Sequence, residues 1–290
     1  MSKVAPIAIY DSGVGGLVVA KAIQAVLPQE LIHYIGDTEH LPYGEKTAHQ
    51  LKDYCTRVVN FCLDKKYKLL VIACNTATAV LDSFACAYLT KLHQALGIVN
   101  VVDPLVNHII TRQPYRRIGL IGTTYTVASG RYEQRLEGSG IKLFSLATPE
   151  LASMVEASFA GKKIDYGLVD YYLNQLCGHP IEVIVPACTH YLFLKQPLQQ
   201  LLEQRPQHNI AIMDVERVTA LAVKDFLTTH DLINDREKKG VDCFMATKLT
   251  PAFEAATQQL FGDKPIAINL DRYSSYRAAN RREGLFTSFY

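Results

Sequence analysis

The sequence predicts an α/β protein of two similar doubly wound parallel-sheet halves, with an active site in the cleft between them. Three observations lead there. Short apolar, β-rich runs alternate with amphipathic stretches along the chain. One half of that pattern is echoed in the other. And 290 residues exceed one compact domain of roughly 150.

Taken in order, Ile7–Tyr10 is the first strand, entering the glycine-rich turn Asp11-Ser12-Gly13-Val14-Gly15-Gly16. A helix over Leu17–Leu27 follows and stops before Pro28. Leu31–Ile35 is a strand leading into the polar loop Asp37–Gly44, and Leu69–Ala73 is a strand ending at Cys74. A helix is predicted over Thr76–Leu96, capped by Gly97, before the strand Ile98–Val102. The second half offers strands at Ile118–Ile121, Ile141–Leu146, Val183–Val185 and Ile210–Met213, with a helix over Asp165–Cys177 ending at Gly178. Leu120-Ile121-Gly122-Thr123-Thr124 repeats the opening strand and turn, and Val185-Pro186-Ala187-Cys188-Thr189-His190 repeats Ile72-Ala73-Cys74-Asn75-Thr76 at nearly the same interval. Residues 1–102 plus 214–270 are expected to form the first domain and 103–213 the second, with boundaries near Asp103-Pro104 and Asp214. The Arg- and Tyr-rich tail, 271–290, receives no function.

Composition excludes several classes. The chain has 30 basic and 28 acidic residues, for a net charge of +2, so a nucleic-acid partner is not expected. Its apolar runs are strand-length, short of the ~18 residues that suggest a membrane span. The N-terminal residues lack the layout of a secretory signal, and a cytoplasmic location is expected. Seven cysteines without a CxxC pair indicate free thiols rather than a disulfide framework or zinc ribbon.

Ligands of open α/β sheets bind beyond the C-terminal strand ends, so Cys74 and Cys188 are expected to face one crevice. Each lies between a strand end and a helix start, where amides and the helix dipole favour a thiolate. Two thiols on opposite sides of a carbon suit removal of a proton from one face and its delivery to the other. Cys55 and Cys62, seven apart on one helix face, and Cys86, mid-helix, read as buried and inert. The Asp11–Gly16 turn fits neither phosphate-loop spacing. It is either a structural turn capped by Asp11 and Ser12, or a site whose amides hold a carboxylate while Asp11 meets an amine. The Asp37–Gly44 loop is either a binding lip or surface. His190 is close enough to Cys188 for an ion pair if the turn bends back. A Cys-x-His step lacks usual zinc spacing, and no metal is expected.

Together these segments resemble the glutamate racemases of the aspartate/glutamate racemase superfamily, in order over about residues 7–262. Asp11–Gly16, Gly36-Asp37-Thr38, Pro42-Tyr43-Gly44, Ala73–Ala77, Gly122–Thr126, Leu146–Thr148 through Glu156, and Cys188–Tyr191 carry the likeness. The resemblance implies that Cys74 takes the α-proton from D-glutamate and Cys188 from L-glutamate, with no cofactor. It implies that Asp11 assists Cys74, that His190 assists Cys188, and that Glu156 holds the imidazole. By the same likeness Ser12, Tyr43, Gly44, Asn75, Thr76, Thr126 and Thr189 contact the substrate, and the product serves peptidoglycan synthesis. Family members are commonly dimers, which makes a homodimer the form to test. Leu192 stands where many members have Pro, and Ala157 where a second acid is common. Two other readings stay open: a racemase for aspartate or another amino acid, and a non-catalytic two-lobed amino-acid-binding protein.

Overall fold

The structure, a computed structural model, describes residues 2–84, 96–112, 114–205, 209–235 and 241–262. The first half contains β1 (Ile7–Asp11), α1 (Gly16–Val26), β2 (Ile32–Gly36), α2 (Ala48–Asp64), β3 (Leu69–Ile72), α3 (Asn75–Leu81) and β4 (Gly97–Asn100). Then come α4 (Asp103–Arg112), β5 (Arg117–Gly122), α5 (Thr124–Ala128), α6 (Arg131–Leu136), β6 (Lys142–Ala147), α7 (Pro149–Phe159), α8 (Tyr166–Cys177), β7 (Val183–Ala187), α9 (Lys195–Glu203) and β8 (Ala211–Ile212). The chain closes with α10 (Val215–Thr229), β9 (Cys243–Ala246) and α11 (Pro251–Phe261).

Two sheets result, ordered β4-β3-β1-β2-β9 and β6-β5-β7-β8, and every pairing is parallel. Helices cover parallel sheets on both faces, so β1, β3 and β7 are buried at every position. In each sheet the strand order turns about its first strand, β1 or β5, whose neighbours continue the chain on either side. Such a switch point opens a crevice beyond the strand ends. In the first sheet Asp11 and Cys74 border it, and in the second Thr123 and Cys188.

The helices follow from local chemistry. α2 begins at a reciprocal capping box between Thr47 and Gln50 and buries Leu51, Cys55, Val58, Val59 and Cys62 along one face. α10, capped by Asp214, buries Val215, Val223 and Leu227 and packs against α1, α4 and β4. The last stretch of chain thereby rejoins the first sheet, where β9 pairs with β2. Beneath that sheet Lys68 and Glu30 form a fully buried ion pair. Lys68 Nζ also donates to the Leu232 carbonyl, and the Asn234 amide donates to Glu30, tying the return segment down.

Two expectations need correction. β9 was not foreseen, because Cys-Phe-Met-Ala is short and carries no turn signal. Gly97 opens β4, where a Cβ would meet the Phe226 ring at 2.7 Å and the Lys68 carbonyl at 3.2 Å; the helix end it was expected to cap lies outside the described residues. The helix expected over Thr76–Leu96 is seen as α3, Asn75–Leu81; residues 85–95, with Cys86, lie outside the described residues, as does the 271–290 tail. Among the described residues no helix is long and apolar enough to cross a membrane.

Candidate active site

Cys74 follows β3 and serves as N-cap of α3, where its sulfur accepts from the Ala77 amide at 3.4 Å. Its thiol donates to Ser12 Oγ at 3.8 Å. The sequence suggested a stabilised thiolate, but the closed structure reverses that balance. Burial, followed by the nearby Asp11 carboxylate, pushes the Cys74 thiol well up, against the smaller opposing pull of the Ala77 amide. Cys74 therefore rests protonated.

Cys188 ends β7 and precedes the 3-10 turn Thr189–Leu194, which bends His190 back so that its Nδ1 lies 3.8 Å from the Cys188 sulfur. On the far side of the ring, Nε2 meets Glu156 Oε1 at 2.7 Å. Burial alone favours a neutral imidazole, yet hydrogen bonds and charges from Cys188 and Glu156 override it and hold His190 well above its usual range. Burial also opposes charge on Glu156, and the contacts from His190 and the Val14 amide outweigh it, leaving the carboxyl below its usual value. A buried imidazolium is thus set beside one thiol and a carboxylate beside the other.

The two lobes touch through the residues that carry this chemistry. Asp11 accepts from its own turn at the Gly13 amide, 2.9 Å, and from Thr189 Oγ1 of the other lobe, 2.8 Å. Glu156 accepts from the Val14 amide across the cleft at 2.9 Å. A ring of hydroxyls joins Thr76 to Thr123 at 3.0 Å and to Thr126 at 3.3 Å. Tyr132 donates to Asn75 Oδ1 at 2.6 Å. The glycines of the first turn are needed for this approach: a Cβ on Gly13 would strike the Glu156 carboxylate, and one on Gly15 would strike Thr189 and the His190 amide.

The enclosed space is lined by Ser12, Tyr43, Gly44, Cys74, Asn75 and Thr76 from one side and Thr123, Thr124, Cys188, Thr189 and His190 from the other. It holds about one water molecule, less than an amino acid occupies. Of the residues expected to contact substrate, Thr126 lies behind Thr123 rather than on the wall. Tyr43 lines the space, and its hydroxyl is bonded to Asp37 and Tyr10. Thr123 and Thr124 were not singled out, although Thr123 occupies in the second half the place Asp11 holds in the first. Leu41 and Pro42, from the loop read as either a binding lip or surface, complete the lining together with Glu45, Pro149 and Ala152, which the sequence did not mark.

The fold is thus two-lobed α/β, with one thiol on each wall of its cleft. The family model for Asp/Glu/hydantoin racemases matches residues 18–223, and the chain belongs to that family, as an amino-acid racemase. It is 35% identical to a glutamate racemase of Aquifex aeolicus over 76% of this chain and 83% of that one. The fold matches a glutamate racemase isoform from Bacillus anthracis with a TM-score of 0.80 and 29% identity, over 92% of this chain and 97% of that one. It also matches the Thermus thermophilus glutamate racemase in complex with beta-chloro-D-alanine, TM-score 0.76 and 28% identity, over 93% and 97% of the two chains.

Proposed function

We propose that this racemase interconverts L- and D-glutamate without a cofactor, by moving the α-proton between Cys188 and Cys74. The observation that carries the reading is the pair of thiols, each at a strand end and each on a different wall of one shut cleft. In the L-to-D direction Cys188, acting as a thiolate beside the imidazolium of His190, takes the α-proton and becomes the thiol, while the resting Cys74 thiol delivers its proton to the opposite face and becomes the thiolate. In the reverse direction the Cys74 proton must first leave, and Asp11 is the adjacent carboxylate. Glu156 keeps His190 charged and oriented. Ser12, Tyr43, Gly44, Asn75, Thr76, Thr189 and, through Thr123, Thr126 hold the substrate.

Glutamate as substrate is supported by the named relatives at 29–35% identity, and the racemate would supply D-glutamate to peptidoglycan in a cytoplasm. The lobes are taken as 1–102 with 214–270, and 103–213, parting about Asp103 and Asp214 to admit substrate. The test is incubation of the chelator-treated protein with L-glutamate in D₂O, following optical rotation and α-deuterium together. Loss of rotation with deuterium at the α-carbon is expected. Exchange with aspartate alone would shift the substrate assignment, and tight binding of glutamate without exchange would sink the enzyme mechanism.

A further inference from the structure

We propose that Tyr132 is a positioning residue for substrate binding: its hydroxyl fixes the Asn75 side-chain amide so that Nδ2 faces the cleft. The inference rests on the glutamate racemase reading and adds a residue to it. Glutamate presents two carboxylates, which only accept hydrogen bonds, so a cleft residue that meets either of them serves by donating. An asparagine free to flip would turn Oδ1 toward those carboxylates as readily as Nδ2. Tyr132 removes that freedom, since its phenol donates to Asn75 Oδ1 at 2.6 Å. Among the described residues Asn75 Nδ2 has no hydrogen-bond partner, and Asn75 lines the cavity. The flipped amide would leave a buried phenol proton without an acceptor.

Tyr132 is placed to do this rigidly. It is 2% exposed and shares a core cluster with Val102, Leu105, Val106, Ile109 and Leu136. Gly130, in the left-handed region at φ 62°, starts α6 and directs Tyr132 inward. The preceding Arg131 pairs with Asp82, at the far end of α3, and with Asp103 at 3.0 Å. α6 therefore grips both ends of the helix that Cys74 caps, and only the closed lobes bring Tyr132 and Asn75 together.

The experiment measures kcat and KM for both enantiomers in Tyr132→Phe, Asn75→Ala and the double variant, with thermal unfolding alongside. The equilibrium constant of a racemase is unity, so kcat/KM must fall equally in both directions, and the split between KM and kcat carries the information. Tyr132→Phe should raise KM about fivefold, the size of one neutral hydrogen bond, with kcat changed less. In the Asn75→Ala background the same substitution should add nothing. Asn75→Asp keeps an acceptor for Tyr132 but replaces the donor with a charge, and should raise KM more than Tyr132→Phe does. An active wild type whose KM is unmoved by Tyr132→Phe or by Asn75→Asp overturns the proposal alone, as does an equal loss from Tyr132→Phe in both backgrounds. A wild type that exchanges no α-proton overturns this and the functional reading together.

Discussion

Gly15→Ala isolates lobe closure from folding. Gly15 sits at φ −58° and ψ −45° as N-cap of α1, a conformation any residue adopts, so alanine brings no backbone strain. Within the first lobe the change is nearly neutral, because glycine caps a helix slightly better than alanine and loses more entropy on folding. Across the cleft it is not. The new methyl would lie 2.6 Å from the His190 amide nitrogen and 2.7 Å from the Thr189 carbonyl carbon, where about 3.5 Å is ordinary contact. These are backbone atoms of the turn that carries His190, so the lobes must stay roughly an ångström further apart. A displacement of that size costs on the order of 100-fold in rate when reacting groups must be aligned. The assay is circular dichroism of L-glutamate turnover beside thermal unfolding of the free protein. We expect a melting temperature within a few degrees of wild type and turnover down by about two orders of magnitude. Wild-type turnover in Gly15→Ala would show that the closed contact has no part in catalysis, and the reasoning from the shut cleft would fail with it.

Cys74→Ser and Cys188→Ser should each fold, since both side chains sit at strand ends and serine is a good N-cap for α3. Each should lose at least ~1000-fold in turnover, and near-normal activity in either would refute the two-base assignment. Glu156→Gln removes one of the two partners that override burial at His190, so the imidazolium should lose its proton at lower pH. The sign for stability follows from both shifts. The lowered Glu156 contributes stability above its ordinary value near pH 4.5, lost as pH falls through its folded value. The raised His190 contributes fully below about pH 6.5 and is lost as pH rises through its folded value. The variant should therefore be less stable by roughly 1–3 kcal/mol across that window and converge on wild type at high pH; a pH-independent difference in urea unfolding would contradict this. Lys68→Met strands the Glu30 carboxylate at 1% exposure and should cost about 3–5 kcal/mol. Adding Glu30→Gln should recover much of that loss, and additive losses would show that the pair is not coupled.

The sheets were legible because burial on both faces leaves near-continuous apolar runs, as in β1, β3 and β7, and eight expected segments fall within a residue or two of the observed strands. What failed was local and depended on distant partners. β9 has two half-buried positions among four and owes its place to β2, some 200 residues earlier in the chain, a pairing no window on Cys243–Ala246 can contain. Gly97 looked like a helix stop because glycine often is one. The room it leaves for the Phe226 ring could be seen only by knowing that α10 returns across β4.

The site divides along the same line. Cys74, Cys188 and His190 stood out because strand, thiol and polar neighbours are adjacent in sequence. Glu156 did not, since on its own helix it is an ordinary acid, and only family resemblance promoted it. The structure shows why local evidence was silent: both of its partners, His190 and the Val14 amide, come from other segments, and the second comes from the other lobe. The same holds for the balance at Cys74. Its flanking residues point toward a stabilised thiolate through the Ala77 amide, but the larger effects are burial under the second lobe and the carboxylate at the end of β1. His190 owes its charge to Cys188 and to Glu156 on a separate helix of the same half, and Cys74 its raised thiol to burial and to Asp11 on a separate strand, partners that no local window of sequence contains.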